Sequence, residues 1–341
     1  MSSRFRHLPL AAARPVLFSR PWGGRRLPDL YTPWLDISGI PISEPVGEAW
    51  LVADHPECES SLEVPAAFTA DVITLRDWMK QDADWLLGTR AQPTPAGRFP
   101  LLLKLIHATE WLSVQVHPDD ETARRLGEPD VGKTEMWTFI DTAPESLIIA
   151  GLREGVSRQE VVEIIRRTDR EIERYMQSRR PRRGESILIP AGTLHAIGPD
   201  LLLAEIQQNS NITYRVYDWD RVDARGGRRP LHPEKSLAAI RWDLTAPVLT
   251  PGETYREGAV TLTTLGCCPY FRAERAEISY STDFFTSGES FHLLLSFAHA
   301  LTVRALDCTL TARPAQAVIV PAGVKHYQVE GAAAFFRYYV P

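Results

Sequence analysis

Short runs of apolar residues, separated by turn-forming residues, are the main pattern along this chain. Leucine, valine and isoleucine recur in brief groups, with 26 prolines and 21 glycines spread between them. Proline and glycine interrupt regular elements and favour turns, so this arrangement is typical of many brief strands and few long helices. The pattern therefore predicts a mainly β fold.

Helical periodicity is confined to a few segments. Ser157 and Glu160 form a capping-box pattern, which opens a stretch with apolar residues at helical spacing as far as Pro181. We therefore predict a helical segment around residues 157–180. Shorter helices are predicted over residues 74–87, between residues 118 and 127, and over residues 232–240.

An internal repeat indicates how the chain is organised. Ile189-Pro-Ala-Gly-Thr-Leu-His195 returns later as Val320-Pro-Ala-Gly-Val-Lys-His326. In both copies an apolar run enters a Pro-x-Gly turn, and a histidine follows three residues after the glycine. Two related β units are the simplest explanation, and we place the division between residues 1–242 and residues 243–341.

The densest polar pattern lies on a predicted strand at residues 112–117. Side chains alternate between the two faces of a strand, so Ser113, Gln115 and His117 share one face while Leu112 and its apolar neighbours share the other. Polar groups on a buried face are costly unless they have partners. The row therefore predicts either a hydrogen-bond network or a metal site.

Two further segments supply matching groups. The same alternation places Lys133 and Glu135 on one face of a second strand, and the Pro-x-Gly turn can direct His195 into a barrel. Together with Gln115 and His117, these strands offer two imidazoles, a carboxylate and an amide oxygen. Such a set suits Zn2+ with one position left open for water or substrate.

The first copy of the repeat carries a family resemblance. It has Gly184, then Pro190-Ala-Gly192, then His195, and this order resembles the second signature motif of the cupin superfamily of β-barrels. The second copy has Ala315 in place of the first glycine and looks like a degenerate cupin. The resemblance implies tandem cupin (jelly-roll) domains, a catalytic N-terminal one and a degenerate C-terminal one, with a small helical insertion.

A more specific resemblance rests on five motifs in a fixed order, and it is strong from residue 16 to about residue 240. Together they look like class I mannose-6-phosphate isomerase in its short bacterial form. The motifs are Ser-Val-Gln-Val-His-Pro-Asp-Asp (113–120), Gly-Lys-Thr-Glu-Met-Trp (132–137), Pro-Ala-Gly-Thr-Leu-His-Ala-Ile (190–197), Ala-Glu-Ile-Gln-Gln-Asn-Ser (204–210) and Tyr-Arg-Val-Tyr-Asp-Trp-Asp-Arg (214–221).

The resemblance assigns a role to particular residues. It implies that Arg215 is the catalytic arginine, that Ser113 and Lys133 contact the sugar phosphate, and that Lys104 lies on the substrate side. The implied zinc ligands are Gln115, His117, Glu135 and His195.

The implied reaction interconverts mannose 6-phosphate and fructose 6-phosphate through a cis-enediol. A zinc ion and Arg215 would stabilise the developing enediolate charge, and the phosphate contacts would align the reacting carbons. A base must lie within hydrogen-bond reach of the C1/C2 proton, and Glu205, Lys133 and a metal-bound water are all candidates.

Two other functions remain open at this point. A non-catalytic, sugar-binding cupin would keep His117 and His195 but would not need Lys133, Glu135 and Arg215 together. A metal-dependent cupin oxygenase usually shows His-x-His on its first strand, and Gln115-Val-His117 argues against that function.

Charge and cysteine content limit the partners and the cellular compartment that we expect. The 341 residues carry a formal net charge of -5, which does not favour nucleic acid as a partner. Four cysteines without a Cys-x-x-Cys pair fit a reducing cytoplasm, and no apolar run approaches the ~20 residues of a membrane span. We expect a cytoplasmic enzyme, monomeric or weakly dimeric, that has no membrane partner.

Overall fold

The computed structural model of the chain describes residues 6–66, 68, 73–222 and 226–341, and strands dominate it. This confirms the predicted mainly β fold. The strands are, in chain order, β1 (Ala11–Ala13), β2 (Val16–Gly24), β3 (Val46–Val52), β4 (Asp54–His55), β5 (Cys58–Glu59), β6 (Ser61–Glu63), β7 (Ile73–Thr74), β8 (Leu101–Ala108), β9 (Val114–Val116), β10 (Glu135–Thr142), β11 (Ile148–Leu152), β12 (Met176–Arg179), β13 (Ser186–Ile189), β14 (His195–Ile197), β15 (Leu201–Gln208), β16 (Tyr214–Tyr217), β17 (Glu253–Glu257), β18 (Val260–Cys267), β19 (Arg272–Ile278), β20 (Thr282–Phe285), β21 (His292–Leu295), β22 (Leu301–Ala305), β23 (Cys308–Ala312), β24 (Ala317–Val320), β25 (His326–Val329) and β26 (Ala333–Tyr339).

Two of the helices begin at capping signals that are visible in the sequence. Thr74 caps its helix through a hydrogen bond from the Asp77 backbone N–H, and Ser157 caps the next long helix through the Glu160 N–H. The α-helices are α1 (Arg26–Tyr31), α2 (Leu75–Leu87), α3 (Asp120–Arg125), α4 (Arg158–Arg167) and α5 (Pro233–Ala239), and 3-10 segments cover Arg170–Tyr175 and Ala322–Val324. None of the helices in the described ranges has both the length and the apolar character needed to cross a membrane.

The helical segment predicted around residues 157–180 is shorter in the structure. Helix α4 ends before Thr168, whose φ of 53° places it in the left-handed region. The Asp169 carboxylate then accepts from the Glu171 N–H and starts the 3-10 segment, after which the chain enters β12. Ile172 fits a helical period and is buried, but it belongs to this separate segment because a local side-chain contact competes with helix continuation.

The chain forms two compact units, each built from separate stretches. The first contains residues 1–16, 50–103 and 252–341, and the second contains residues 17–49 and 104–251. The sequence predicted one division near residue 242 instead. Strand β1 accounts for the difference, because it pairs antiparallel with both β24 and β6, so an N-terminal segment shares a sheet with the C-terminal strands.

The first unit contains a nine-stranded sheet and a four-stranded sheet. Their strand orders are β17-β18-β19-β26-β21-β24-β1-β6-β7 and β20-β25-β22-β23. Leu262, Phe284, Leu294, Val318 and Tyr327 are among the buried residues between them. This packing gives the first unit an apolar core of its own.

The second unit is built around two other sheets. One has the order β12-β11-β14-β9-β16, and the other has the order β13-β10-β15-β8-β3-β2. Val114 and Val116 pack in a core cluster with Val161 and Ile164 of α4. Because side chains alternate along β9, this packing directs Gln115 and its neighbours on the polar side to the opposite face.

Candidate metal centre

Strand register brings three predicted site residues side by side in the five-stranded sheet. Gln115 on β9 lies directly opposite His195 on β14 and opposite Arg215 on β16. Directly opposed residues of antiparallel strands project from the same face. The three side chains therefore form one row across the sheet, although they are far apart in sequence.

The six-stranded sheet supplies the carboxylates. Glu135 starts β10, and Trp137, two residues later on the same face, lies opposite Glu205 of β15. Lys104 lies on the adjacent strand β8, with its Nζ 3.8 Å from Glu205 Oε1. Period-two alternation therefore places Glu135 and Glu205 on one face of this sheet.

His117, Glu135 and His195 form a buried cluster of ligand atoms. The Nε2 atoms of His117 and His195 each lie 3.3 Å from an oxygen of Glu135, and the three ligand atoms all lie within 4.8 Å of one another. The three side chains are at most 1% exposed. No other group of three or more histidine, cysteine or acidic residues with this geometry occurs in the part of the chain that the structure describes.

Backbone carbonyls fix the tautomer of both histidines. His117 Nδ1 lies 2.7 Å from the Ile212 carbonyl oxygen, and His195 Nδ1 lies 2.9 Å from that of Thr193. A carbonyl only accepts, so each Nδ1 carries the proton and each neutral ring presents its Nε2 lone pair to Glu135. Three electron-rich atoms therefore converge, and this donor set fits a divalent cation.

Burial keeps both rings neutral. Removal from water lowers the pKa of His117 to about 3, with the nearby Lys133 ammonium as a second cause. Burial likewise lowers the pKa of His195, and the attraction of Glu135 only partly opposes this. Neutral imidazole is the form that binds metals.

Lys133 supplies the positive charge that this centre attracts. Its Nζ lies 2.7 Å from Glu135 Oε2 and 3.3 Å from His117 Nε2. Burial disfavours the Lys133 ammonium, but Glu135 and Glu205 outweigh burial and raise its pKa. Burial also opposes the Glu135 carboxylate, yet Lys133 holds its pKa well below the usual range.

Gln115 and Ser113 complete one side of the cluster. Gln115 Nε2 lies 3.2 Å from His195 Nε2, and Ser113 Oγ donates to Gln115 Oε1 over 3.1 Å. A half-turn of the amide would present its oxygen to the centre instead, and the Ser113 hydroxyl could then accept from the amide nitrogen. Gln115 can therefore contribute the fourth ligand predicted from the sequence.

Glu205 lies in a different electrostatic setting from Glu135. Burial and the neighbouring Glu135 charge raise the pKa of Glu205 to about 7, although Lys133 and Lys104 act in the opposite direction. Burial also lowers the pKa of Lys104. Glu205 can therefore exchange a proton near neutrality, whereas Glu135 stays ionised.

Arg215 reaches the site from an edge strand. Its backbone N–H donates to His232 Nδ1 over 3.1 Å, and its carbonyl accepts from the His232 N–H over 2.8 Å. The side chain is half-buried, its Nε has no hydrogen-bond partner among the described residues, and burial lowers its pKa. Arg215 is therefore fixed through its backbone while its guanidinium remains available.

Comparison with known proteins relates the chain to one enzyme family. Residues 16–135 match the family model described as the catalytic domain of type I phosphomannose isomerase. The chain is 35% identical over 271 residues to mannose-6-phosphate isomerase ManA of Bacillus subtilis, covering 79% of each protein. It is also 34% identical over 261 residues to a mannose-6-phosphate isomerase of Streptococcus mutans, covering 76% of each.

The chain belongs to the type I phosphomannose isomerase family. A crystal structure of the mannose 6-phosphate isomerase from Bacillus subtilis matches it with a TM-score of 0.82 at 28% identity, over 97% of this chain and 99% of that one. This match confirms the fold class predicted for the chain, which is a mainly β fold of the cupin type. A zinc-bound mannose 6-phosphate isomerase, 15% identical with a TM-score of 0.72, shares the fold.

Three residues close to the predicted site were not predicted from the sequence, namely Trp137, Arg20 and Glu48. The Trp137 indole N–H donates to Glu135 Oε1 over 3.1 Å and to Glu205 Oε2 over 3.0 Å. Alternation from Glu135 would have placed Trp137 on the same face. Arg20 and Glu48 form an ion pair of 2.9 Å. Burial lowers the pKa of Lys104, and the negative charge of Glu48 partly opposes this effect.

The second copy of the repeat contains no comparable centre in the described residues. His326 starts β25 and is exposed, with its Nε2 3.1 Å from Asp283. His292 is buried, and its Nδ1 lies 2.8 Å from the Tyr327 hydroxyl.

Proposed function

We propose that this chain is a zinc-dependent isomerase that interconverts mannose 6-phosphate and fructose 6-phosphate through a cis-enediol intermediate. The observation that carries the proposal is a buried cluster in which His117 and His195, each held in one tautomer, present their Nε2 lone pairs to Glu135. Family membership supports the substrate, since the curated relatives are named mannose-6-phosphate isomerase.

The proposed zinc ligands are Gln115, His117, Glu135 and His195. Nitrogen and oxygen donors of this kind suit zinc, and the cluster lies next to groups that can face a substrate. When bound, zinc would act as a Lewis acid that favours negative charge on a sugar oxygen.

Cationic side chains would bind the substrate phosphate and stabilise the negative charge of the enediolate. We assign the phosphate to Lys133 and Ser113, with Lys104 on the substrate side. Lys133 has a long flexible side chain, so it can turn from Glu135 toward a substrate phosphate. Arg215 has an available guanidinium in the same row as Gln115 and can stabilise the enediolate.

Glu205 is our first candidate for moving the proton between C1 and C2. A base needs a pKa near the working pH, and the pKa of Glu205 is raised to about 7. Lys133 and a metal-bound water remain the other candidates. Glu135 is less suitable because Lys133 holds it ionised.

The remaining expectations concern the cellular compartment and the oligomeric state. We propose that the enzyme acts in the cytoplasm as a monomer or weak dimer on a small sugar phosphate, and the four cysteines, which are all free, fit that compartment. A sugar-binding cupin without catalysis would not need a carboxylic acid with a pKa of about 7 beside the cluster. An oxygenase would require iron and consume oxygen.

A coupled assay on mannose 6-phosphate tests the proposal. We expect Glu135→Ala to lose both zinc and turnover, because it removes the charge that holds the cation. Arg215→Ala and Glu205→Gln should keep about one zinc per chain but lose at least about 100-fold in kcat, since each removes a group acting on the reacting carbons.

The controls separate metal from chemistry. Zinc is measured on each purified variant, and His326→Gln, at an exposed site in the other unit, should match the wild type in both readouts. Normal kcat in Arg215→Ala would exclude its catalytic role. Oxygen consumption with iron, or zinc binding without isomerisation, would favour one of the two alternatives.

A further inference from the structure

The second unit contains a large cavity that the proposed reaction does not use. Its volume is about 690 Å3, and its walls come from residues 151–156, 158, 177, 192–194, 240–242 and 244–246. Leu194 lines it and packs in the core cluster below α4, whereas the next residue, His195, faces the metal cluster. The volume lies in the range of small-molecule sites.

Positive charge dominates the titratable groups in this wall. Three arginines line the cavity, against the single carboxylate of Glu154. Arg153 Nε donates to the Met176 carbonyl over 2.9 Å, which anchors the side chain but leaves its terminal nitrogens without a carboxylate partner among the described residues. Arg241 is already paired with Asp243 at 2.7 Å.

The third arginine forms a flat surface with an aromatic ring. The Arg158 guanidinium carbon lies 4.8 Å from the centre of the Trp242 ring, and both residues line the cavity. This pair combines a planar cation with an indole, and such surfaces stack on planar rings of ligands. The cavity therefore offers two kinds of contact, charge from Arg153 and a stacking surface from Arg158 and Trp242.

Two glycines in the cavity wall lie very close to neighbouring residues. A Cβ on Gly192 would lie 2.6 Å from Arg241 Cγ, and a Cβ on Gly151 would lie 2.6 Å from Ala246 Cα. Both glycines also have positive φ. Only glycine allows these contacts at no steric cost, so these two positions let residues 241 and 246 pack closely against the wall.

We propose that this cavity binds a small molecule in which a phosphate is attached to a planar ring, as in a nucleotide. The phosphate would contact Arg153 and the cationic edge of Arg158, and the ring would stack against the Arg158–Trp242 pair. The site is separate from the proposed isomerase centre and does not depend on that function.

Calorimetric titration of the purified, zinc-loaded protein with adenosine 5′-monophosphate tests this site. We expect one binding site per chain, weaker binding of adenosine, and an increase of at least about tenfold in Kd for the double variant Arg153→Gln/Arg158→Gln, because charge-assisted hydrogen bonds are lost. Trp242→Leu should also weaken binding, by about fivefold or more, through loss of stacking.

Two matched variants locate the bound nucleotide. Arg166→Gln removes an arginine of α4 that does not line the cavity, and it should leave Kd unchanged. Lys133→Met changes the metal centre and should also leave Kd unchanged. No binding at about 1 mM ligand, or binding that Lys133→Met abolishes and the double variant retains, would overturn the proposal.

Discussion

The two cluster histidines combine a fixed tautomer with an unfavourable setting for a proton. Their Nδ1 atoms are committed to the carbonyls of Ile212 and Thr193, so a second proton could only enter at Nε2, inside the buried cluster. In His117 this Nε2 atom already lies 3.3 Å from the Lys133 ammonium. The folded metal-free protein therefore excludes a proton that the unfolded chain accepts readily.

This exclusion predicts a pH-dependent stability of the metal-free protein. The pKa of His117 is lowered from 6.5 to about 3, so the unfolded state binds more protons between these two pH values and stability falls as the pH falls. Between pH 7 and pH 5 this histidine alone should lower the unfolding free energy by about 2 kcal/mol. Urea unfolding at both pH values measures it.

Two variants identify the source of that pH dependence. His117→Gln should remove about 2 kcal/mol of the difference between pH 7 and pH 5, whereas His326→Gln, at an exposed position, should retain it. An equal pH dependence in wild type and His117→Gln would contradict the expectation.

Strand alternation accounts for the part of the site that the sequence could predict. It correctly placed Gln115 and His117 on the face away from Val114 and Val116 because this pattern is local to one strand. The neighbours of a strand are not local. The family resemblance implied a catalytic role for Arg215 but not its position opposite Gln115. The shared Trp137 contact was missed because it depends on the β10–β15 register.

His232 provides a prediction at the level of strand β16. The Nδ1 atom of its ring accepts a hydrogen bond from the Arg215 backbone N–H, and the His232 backbone N–H donates to the Arg215 carbonyl. The segment before α5 therefore holds the edge strand that carries this arginine. We expect His232→Ala to lower kcat about fivefold with zinc content unchanged, since about 1 kcal/mol of positioning contact is lost.

The conservative variant distinguishes positioning from general damage. The side-chain oxygen of Asn can accept the same N–H, so His232→Asn should recover most of the lost kcat. If both variants have wild-type kcat, or if both lose their zinc, this role of His232 is wrong.

At the scale of the whole molecule, the two units do not follow chain order. Ala11 lies opposite Ile319 in the β1–β24 pair, and Ala12 lies opposite Glu63 in the β1–β6 pair. A sequence repeat can show that two related units exist, but it does not show which strands complete each sheet. The predicted division near residue 242 therefore separates strands that are paired in the structure.

Two altered forms of the chain test this organisation. The fragment of residues 1–242 leaves β1 without β24, so we expect it to aggregate or to lack a cooperative unfolding transition. A full-length chain cut at a protease site inserted after residue 244 should remain one particle in gel filtration, because β1, β6 and β24 stay paired. A soluble, cooperatively folded fragment 1–242 would favour the division predicted from the sequence.

The indole of Trp137 donates its single N–H to two carboxylates on neighbouring strands. One rigid ring thus sets the spacing between Glu135, at the metal cluster, and Glu205, whose pKa is raised to about 7. A displacement of either carboxylate would lengthen one of the two hydrogen bonds to this ring. The proposed zinc ligand and the proposed proton-transfer residue are therefore coupled through one side chain of a single sheet.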